Sequence, residues 1–404
     1  MKCYLMNKNT KVALIELNTE VNIIEKIYNV YNIDFAPLSF KTAYLNKNIS
    51  DTKALNEWYR GRGIPDWRKD IKNLLNTLNI KSTDELLNKS YGLSLSDQYW
   101  IKRESEENLK WNDINFFTND FKYKGYLKAS LNSSENNKNI DLYSPNNTTD
   151  GMLQKAWIIE NNKRILVKGT YCFTNQEPLN EWLTSLICKN LDIDYCDYKI
   201  DIIDGKLISK CENFINSNEE IITAYDVFFS ERKDNNTSDL NHYINILEKN
   251  GIKDAPKTIQ DMLLVDYIVM NFDRHLKNFG IIRNVETLKW EKITPIFDTG
   301  ESMQCNKLFN EINFNDDRCK FFTNINKKMS ELLNYIDLRD YNLENLLCVP
   351  KSFKEKLEEY QDFTEMSDDR INKLYIGLNK RINDLIHIEN LAQEQEKPED
   401  EEEM

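Results

Sequence analysis

Features that are missing from the 404-residue sequence narrow its class first. It contains no run of about 18 apolar residues, so no transmembrane helix is expected. Residues 1–8 lack the apolar core and the cleavage site of a secretory signal, and we therefore expect a cytoplasmic protein. The eight cysteines are scattered without a C-x-x-C pair. This spacing argues against a zinc site and favours buried thiols.

Basic residues are fewer than acidic residues. The chain has 53 Lys and Arg against 66 Asp and Glu, and its formal net charge is −13. Because nucleic-acid backbones are held by net basic surfaces, this balance disfavours a general polyanion binder. It disfavours anionic membranes for the same reason. We therefore expect neither a direct nucleic-acid contact nor a membrane partner.

Glycine is scarce as well, with 11 residues in the chain. The pair Gly61-x-Gly63 lacks a preceding strand and a third glycine, so it predicts a loop and not a nucleotide fingerprint. This loop should separate two helices, the second of which carries Ile71, Leu74, Leu75 and Leu78 on one face. What the chain has in quantity is apolar residues, at 40%, enough for the cores of two or three domains.

The polar, turn-rich stretch 131–149 marks a change in the pattern, and we expect an N-terminal domain over residues 1–130. Residues 217–238 are polar and predict a mobile insert. Residues 391–404 form an acidic run broken by proline, which predicts a disordered tail. Before that tail one apolar stripe at helical spacing predicts a core face, made by Ile371, Leu374, Leu378, Ile382 and Leu385.

The segment Asn271–Asn278 concentrates an acid, an imidazole, two cations and two amides in eight residues. An apolar run over 262–270 predicts a buried helix before it, and Pro295–Asp298 predicts a strand that ends in a second acid. Magnesium-dependent phosphoryl transfer needs one Asp to take the hydroxyl proton, and an Asn and another Asp to hold the metal. Asp and Asn after a helix are also common caps and turn formers. The two motifs in this order favour phosphoryl transfer over a structural role more strongly than either motif alone.

Residues 150–169 predict a hairpin that follows a polar, glycine-bearing loop and carries Lys168 on its second strand. Backbone amides of such a loop can cap phosphates, and a lysine there can reach the α- and β-phosphate oxygens. A surface hairpin with an exposed lysine is the alternative. The helix that opens at Glu177 places Glu181 beside its apolar face. A buried Glu181 would need a cation such as Lys168, whereas a solvated one would be favoured by the helix dipole.

Taken in order, these pieces resemble the HipA-like serine/threonine kinases over about residues 131–385. The most specific matches are Asn271–Asn278 and Pro295–Asp298, and Asn180-Glu181 is also similar to the family's segment after the strand lysine. The stretches Trp58–Pro65 and Tyr91–Trp100 resemble an accessory domain of some members. The resemblance implies an α+β, two-lobed protein-kinase-like fold, with a small β-rich lobe over 131–215, a larger helical lobe over 216–390 and an N-terminal α+β accessory domain.

The resemblance also implies site residues. Asp273 would be the catalytic base, and Asn278 and Asp298 would hold Mg²⁺. Lys168 would anchor the phosphates of ATP and Glu181 would hold Lys168. The remaining nucleotide contacts would come from the phosphate loop, the connector between the lobes and the segment after Asp273, through Thr149, Gly151, Glu212, Phe214 and His275.

The implied function is transfer of the γ-phosphate of ATP to Ser or Thr of a cytoplasmic protein, in a toxin or phage-defence setting with a small antitoxin protein as partner. Relatives can phosphorylate a serine of their own phosphate loop. Here Ser144, Thr148 and Thr149 are the nearby hydroxyls, but the loop departs from the family's small-residue pattern and self-inactivation stays open. The eukaryotic motifs H-R-D, D-F-G and A-P-E are absent. A nucleotide-binding pseudokinase that holds a partner, and a small-molecule or lipid kinase, are the alternatives.

Overall fold

The computed structural model describes residues 1–47, 50–132 and 140–395. Part of the polar stretch at 131–149 and residues 396–404 of the expected disordered tail therefore lie outside the described residues. The described chain is a mixed α+β protein with several small antiparallel sheets. None of its described helices is long and apolar enough to cross a membrane.

The strands are short and occur in groups along the chain. They are β1 (Lys2–Asn7), β2 (Thr10–Asn18), β3 (Ile23–Val30), β4 (Tyr99–Arg103), β5 (Lys155–Glu160), β6 (Lys163–Lys168), β7 (Lys199–Ile203), β8 (Lys206–Glu212), β9 (Glu219–Thr223), β10 (Gly280–Asn284), β11 (Trp290–Ile293), β12 (Arg318–Phe321) and β13 (Asn324–Lys328).

The described α-helices range in length from 4 to 28 residues. They are α1 (Leu38–Leu45), α2 (Asp51–Arg60), α3 (Ile71–Leu78), α4 (Thr83–Lys89), α5 (Trp111–Ile114), α6 (Lys124–Ser130), α7 (Glu177–Leu191), α8 (Ala224–Phe228), α9 (Asp239–Lys249), α10 (Ala255–Val269), α11 (Val349–Glu359) and α12 (Asp368–Gln395). The predicted pair of helices on either side of Gly61-x-Gly63 is confirmed as α2 and α3.

The chain divides into two compact units, each assembled from separate stretches. The first unit comprises residues 1–171, 210–255 and 276–294, and the second comprises 172–209, 256–275 and 295 onward. The predicted domain limits at 130, 215 and 390 rest on the sequence pattern and the family resemblance, not on compactness. They stay a prediction.

The first unit begins with a four-stranded antiparallel sheet of order β3-β2-β1-β4. Alternate residues such as Leu5 and Ile15 point into a core that they share with Phe40 of α1 and Leu55 of α2. The period of two in these strands therefore buries one face of the sheet under the two helices.

A hairpin of β5 and β6 lies further along the first unit, with Lys155 opposite Lys168 in its register. Its two-residue turn is Asn161-Asn162, whose φ angles are 51° and 63°. Asparagine tolerates this left-handed conformation, which a two-residue turn needs to match the twist of the strands. The predicted hairpin is confirmed.

The expectation of a mobile insert at 217–238 is wrong for its first half. Residues 219–223 form β9, and α8 follows directly. β9 pairs with β10 in a three-stranded sheet, where Ile222 lies opposite Ile281 and both are buried. The polar residues on both sides hid a short β-branched segment that has a buried partner far along the chain.

The core of the second unit is helical. In α12 the predicted stripe is confirmed, since its five members from Ile371 to Leu385 are at most 1% exposed. Helix α11 contacts both α12 and α7, and buries Phe353 and Leu357 completely. The long C-terminal helix is therefore held by burial of one apolar face.

The predicted strand at Pro295–Asp298 is wrong. Only Ile296 makes a bridge, to Tyr195, and the regular strands before it end at Ile293. Asp298 then adopts a left-handed conformation with a φ of 57°, which ends any extended run. The second acid consequently sits on a turn and not at the end of a strand.

Candidate active site

The candidate catalytic loop leaves the C-terminal end of α10. Met270, with a φ of 53°, turns the chain out of the helix. The buried Asn271 amide donates to Asp266 Oδ1 at 2.8 Å, and its carbonyl oxygen accepts from the backbone N–H of Asp273 at 3.1 Å. One asparagine thus fixes the start of the loop to the last turn of the helix.

A buried Arg274 joins this loop to the segment of the second acid. Its guanidinium donates to both carboxylate oxygens of Asp266 at 2.8 Å and to the carbonyl of Phe297 at 2.9 Å. Phe297 directly precedes Asp298. Burial alone would lower the pKa of Arg274, but the charges of Asp266 and Asp298 raise it above its ordinary value. The cation is therefore permanent, and it links the backbones that carry the two candidate acids.

His275 lies beside the candidate base, with its Nε2 at 3.7 Å from Asp273 Oδ2. Burial lowers the pKa of His275, and the nearby Lys320 and Arg274 lower it further, against the raising effect of Asp273 and Asp298. The imidazole is consequently neutral at neutral pH.

Lys320 is a member of this site that the sequence gave no reason to expect. Its ammonium group contacts Asp273 Oδ1 directly. Its backbone N–H donates to the carbonyl of Phe272 at 3.1 Å, which attaches β12 to the catalytic loop. No motif surrounds Lys320, so only the fold reveals it.

Glu301 adds a third carboxylate near Asp273 and Asp298. Burial, followed by the charges of Asp273, Asp298 and Glu177, raises the pKa of Glu301 to about 7. Such an excess of negative charge attracts a cation. Among the described residues no three of His, Cys, Asp and Glu are arranged to hold a metal ion. Magnesium bound with a nucleotide needs only one or two protein oxygens besides phosphates and water, so this donor set suits it.

Helix α7 is tied to the same turn within the second unit. The buried Asn180 amide donates to the carbonyls of Gly300 and Ser302 at 2.7 and 2.9 Å. The next residue, Glu181, is 1% exposed and accepts a hydrogen bond from the hydroxyl of Ser209. The solvated alternative for Glu181 is therefore excluded, and its pairing with Lys168 stays a prediction.

The predicted phosphate loop belongs to the first unit, where Arg68 organises it. The buried Arg68 guanidinium donates to the hydroxyl of Thr149 at 2.8 Å, to its carbonyl, and to the carbonyl of Gly151 at 3.0 Å. Burial lowers the pKa of Arg68 to about 10, so the group stays charged. Gly151 has a φ of 95°, and a Cβ there would approach Lys155 Nζ to 2.7 Å. The positive φ favours glycine at this position, whereas the flexible Lys155 side chain could move away from a Cβ.

The hydroxyls considered for self-phosphorylation are all engaged within the first unit. Ser144 is fully buried and accepts from the backbone of Asn146. Thr148 donates to the carbonyls of Leu93 and Pro145, and Thr149 donates to the carbonyl of Asn146. Phosphorylation of any of them would require this loop to open.

The remaining predicted site residues of the first unit differ in exposure. Lys168 is 2% and Asn278 is 7% exposed, which excludes the alternative of an exposed surface lysine. The side chain of Glu212 is exposed and pairs with Lys163 at 2.6 Å. A contact of Glu212 with the adenine ring would therefore be made by its backbone. Phe214 is half-buried in the connector that follows.

The structure therefore brings together Asp273, His275 and Asp298 in the second unit, with Glu181 on α7 of that unit. Thr149, Gly151, Lys168, Glu212, Phe214 and Asn278 belong to the first unit. Sequence reasoning missed Arg274, whose signal was Asp266, a lone acid inside the apolar run of α10 that needed a buried cation.

Comparison with known proteins identifies the fold. No protein-family model and no curated protein matches the chain. Among solved structures it is similar to HipA of Shewanella oneidensis MR-1, from a toxin–antitoxin complex with HipB and operator DNA. That match has a TM-score of 0.52 and 11% identity, and covers 96% of this chain and 99% of HipA. The kinase CtkA of Helicobacter pylori matches at a TM-score of 0.46 and 19% identity, over 60% of this chain and 95% of CtkA.

The likeness to HipA extends over almost the whole chain, so the chain has the α+β fold of a HipA-like kinase. The fold class and the resemblance expected from the sequence are confirmed at this level. At 11% identity the likeness does not carry substrates or partners across, and the chemistry has to be argued from the residues of this chain.

Proposed function

We propose that this protein is an ATP- and Mg²⁺-dependent kinase that phosphorylates Ser or Thr of a cytoplasmic protein. The observation that carries the proposal is the link made by Arg274. Its guanidinium holds the loop of Asp273 and the turn of Asp298 to one buried carboxylate, Asp266. A structural cap would not need two acids fixed to each other in this way.

In the proposed reaction Asp273 accepts the proton of the acceptor hydroxyl as its oxygen attacks the γ-phosphorus. The new O–P bond forms while the bond to the β-phosphate oxygen breaks and ADP leaves. Lys320 would keep the Asp273 carboxylate oriented. The neutral His275 would line the phosphate site and, being uncharged, would not repel Mg²⁺.

The other half of the proposed site binds the nucleotide. Lys168 would anchor the α- and β-phosphates, with Glu181 as its partner, and the backbone of 212–214 would face the adenine. Asn278 and Asp298 would hold Mg²⁺, which neutralises the charge on the phosphates when it is bound. Thr149 and Gly151 would lie on the phosphate loop that Arg68 orders.

The role of Asp298 predicts a loss of metal-dependent nucleotide affinity. In isothermal titration with ATP, Mg²⁺ should tighten binding to the wild type, and Asp298→Asn should weaken that binding by about tenfold or more. Asp197→Asn, an exposed acid of the same unit, is the matched control and should bind as the wild type does. If Asp298→Asn kept the full effect of Mg²⁺, its proposed role would be wrong.

A nucleotide-binding module without transfer activity is the second candidate. It is favoured by one contact, since the ammonium of Lys320 already occupies Asp273. Such a module would bind Mg-ATP and hold a partner without turning ATP over. HipA in the comparison structure is in complex with HipB and DNA. By analogy a small antitoxin protein is a candidate partner here. The net charge of −13 argues against a direct contact between this protein and nucleic acid.

A further inference from the structure

Two cysteines of the second unit lie next to each other with their sulfur atoms in contact. The Sγ atoms of Cys172 and Cys305 are 3.1 Å apart, although 133 residues separate them in the chain. Their distance exceeds the roughly 2.05 Å of a disulfide bond by only about one ångström. Both are free thiols, 6% and 0% exposed.

Backbone hydrogen bonds hold both residues in this position. The N–H of Cys305 donates to the carbonyl of Ser302 at 3.1 Å, and its own carbonyl accepts from the buried hydroxyl of Thr174 at 2.9 Å. The carbonyl of Cys172 accepts from the N–H of Asn175 at 3.1 Å. Because Thr174 links the two segments directly, the backbone keeps the two cysteines next to each other.

We propose that Cys172 and Cys305 are a reversible disulfide pair that forms when peroxide oxidises the protein. Cys172 is the less buried of the two residues, so its thiolate attacks one peroxide oxygen and becomes a sulfenic acid, with release of hydroxide. The sulfur of Cys305 then attacks the sulfenic sulfur, the S–S bond forms and water leaves. The sum is two thiols and one hydrogen peroxide giving one disulfide and two waters.

Burial makes this pair slow to oxidise. Hydrogen bonding from Cys172 and burial raise the pKa of the Cys305 thiol well above its ordinary value. A buried protonated thiol is a poor nucleophile, so oxidation depends on transient opening that exposes Cys172. The disulfide should therefore accumulate gradually with peroxide and be reversed by a dithiol reductant once that reductant gains access.

The bond would act on the turn that carries Asp298. Cys305 ends the segment that runs on from Asp298, and Cys172 lies just before α7. These two segments already meet where Asn180 donates to Gly300 and Ser302. A disulfide would add a covalent link between the same two segments, and so connect thiol oxidation to the mobility of the Asp298 turn.

The test uses the full chain with Cys348→Ser, because Cys348 is the exposed thiol and could link two molecules. After treatment with hydrogen peroxide, the protein is denatured without reductant and alkylated. Its intact mass is measured, and the protein is then digested for peptide mapping. We expect five alkylated thiols in place of seven, a cross-linked Cys172–Cys305 peptide, and full recovery of seven thiols after dithiothreitol.

Cys305→Ser added to this background should lose the cross-linked peptide. Cys188→Ser, a control for another fully buried thiol of the same unit, should keep it. Seven alkylated thiols after peroxide, or a cross-link between other cysteines, would overturn the proposal. The peptide map of the Cys348→Ser chain gives this answer even if a further variant fails to fold, and it does not depend on whether the protein transfers phosphate.

Discussion

At the scale of residues, Arg274 determines where the two candidate acids stand. Replacing it by Met would leave the Asp266 carboxylate buried without its cation, because both oxygens of Asp266 are satisfied by Arg274. Breaking a buried pair from one side costs about 3–5 kcal/mol. We expect Arg274→Met to lower the free energy of unfolding by that amount, measured by urea denaturation, and to abolish the effect of Mg²⁺ on ATP binding.

Arg283 provides a matched control in the first unit. It makes a similarly buried ion pair with Glu220 at 2.6 Å, which joins β10 to β9. Arg283→Met should also destabilise by about 3–5 kcal/mol, yet retain Mg²⁺-dependent ATP binding at a temperature where the variant is folded. Equal loss of binding in both variants would show that Arg274 acts through stability alone.

Glu301 should make stability depend on pH. Its pKa rises from 4.5 to about 7 on folding, so between these values the folded state keeps a proton that the unfolded chain has released. The contribution of Glu301 to stability therefore falls as the pH rises through this window and returns on acidification. In urea denaturation without Mg²⁺, Glu301→Gln should flatten this part of the profile and be more stable than the wild type at pH 8. An unchanged slope would contradict the assignment.

At the scale of elements, the packing of α12 reverses the usual effect of a helical glycine. Exchange of glycine for alanine inside a helix normally stabilises by about 1 kcal/mol. At Gly377, however, a Cβ would overlap the ring of Phe314, and overpacking typically costs about 1–3 kcal/mol. We expect Gly377→Ala to lower the unfolding midpoint. Asn372→Ala, on the exposed side of the same helix, should leave it unchanged or slightly higher, and a stabilised Gly377→Ala would contradict this packing.

Elements that carry a local signal could be predicted from the sequence. The stripe of α12 specifies a buried face by itself, and Asn161-Asn162 specifies a hairpin turn because both residues tolerate positive φ. Pro295–Asp298 has the composition of a strand, but a strand also needs a partner along its length, and here only Ile296 has one. β9 was missed for the complementary reason, since its partner β10 is distant in the sequence.

At the scale of the whole molecule, the same distinction decides how much of the site was predictable. Asp273 and Asp298 lie in short motifs with a fixed order, so the sequence alone is enough to propose them as site residues. Lys320 reaches Asp273 from 47 residues away, and Arg68 reaches Thr149 from 81 residues away. Contacts of that kind arise from the folding of separate stretches into one unit, which no local pattern records.

The most direct measurement is ATP turnover, read as phosphate released or transferred with Mg²⁺ present. Wild type, Asp273→Asn and the exposed-acid control Asp197→Asn would be compared at equal folded concentration. The proposed base predicts that Asp273→Asn loses about 10²–10⁴-fold in rate while it still binds Mg-ATP, and that Asp197→Asn matches the wild type. Wild-type protein that binds Mg-ATP without any turnover would contradict the kinase account and leave the nucleotide-binding module in its place. Asp273→Asn that keeps the wild-type rate would contradict the assignment of Asp273 as the catalytic base.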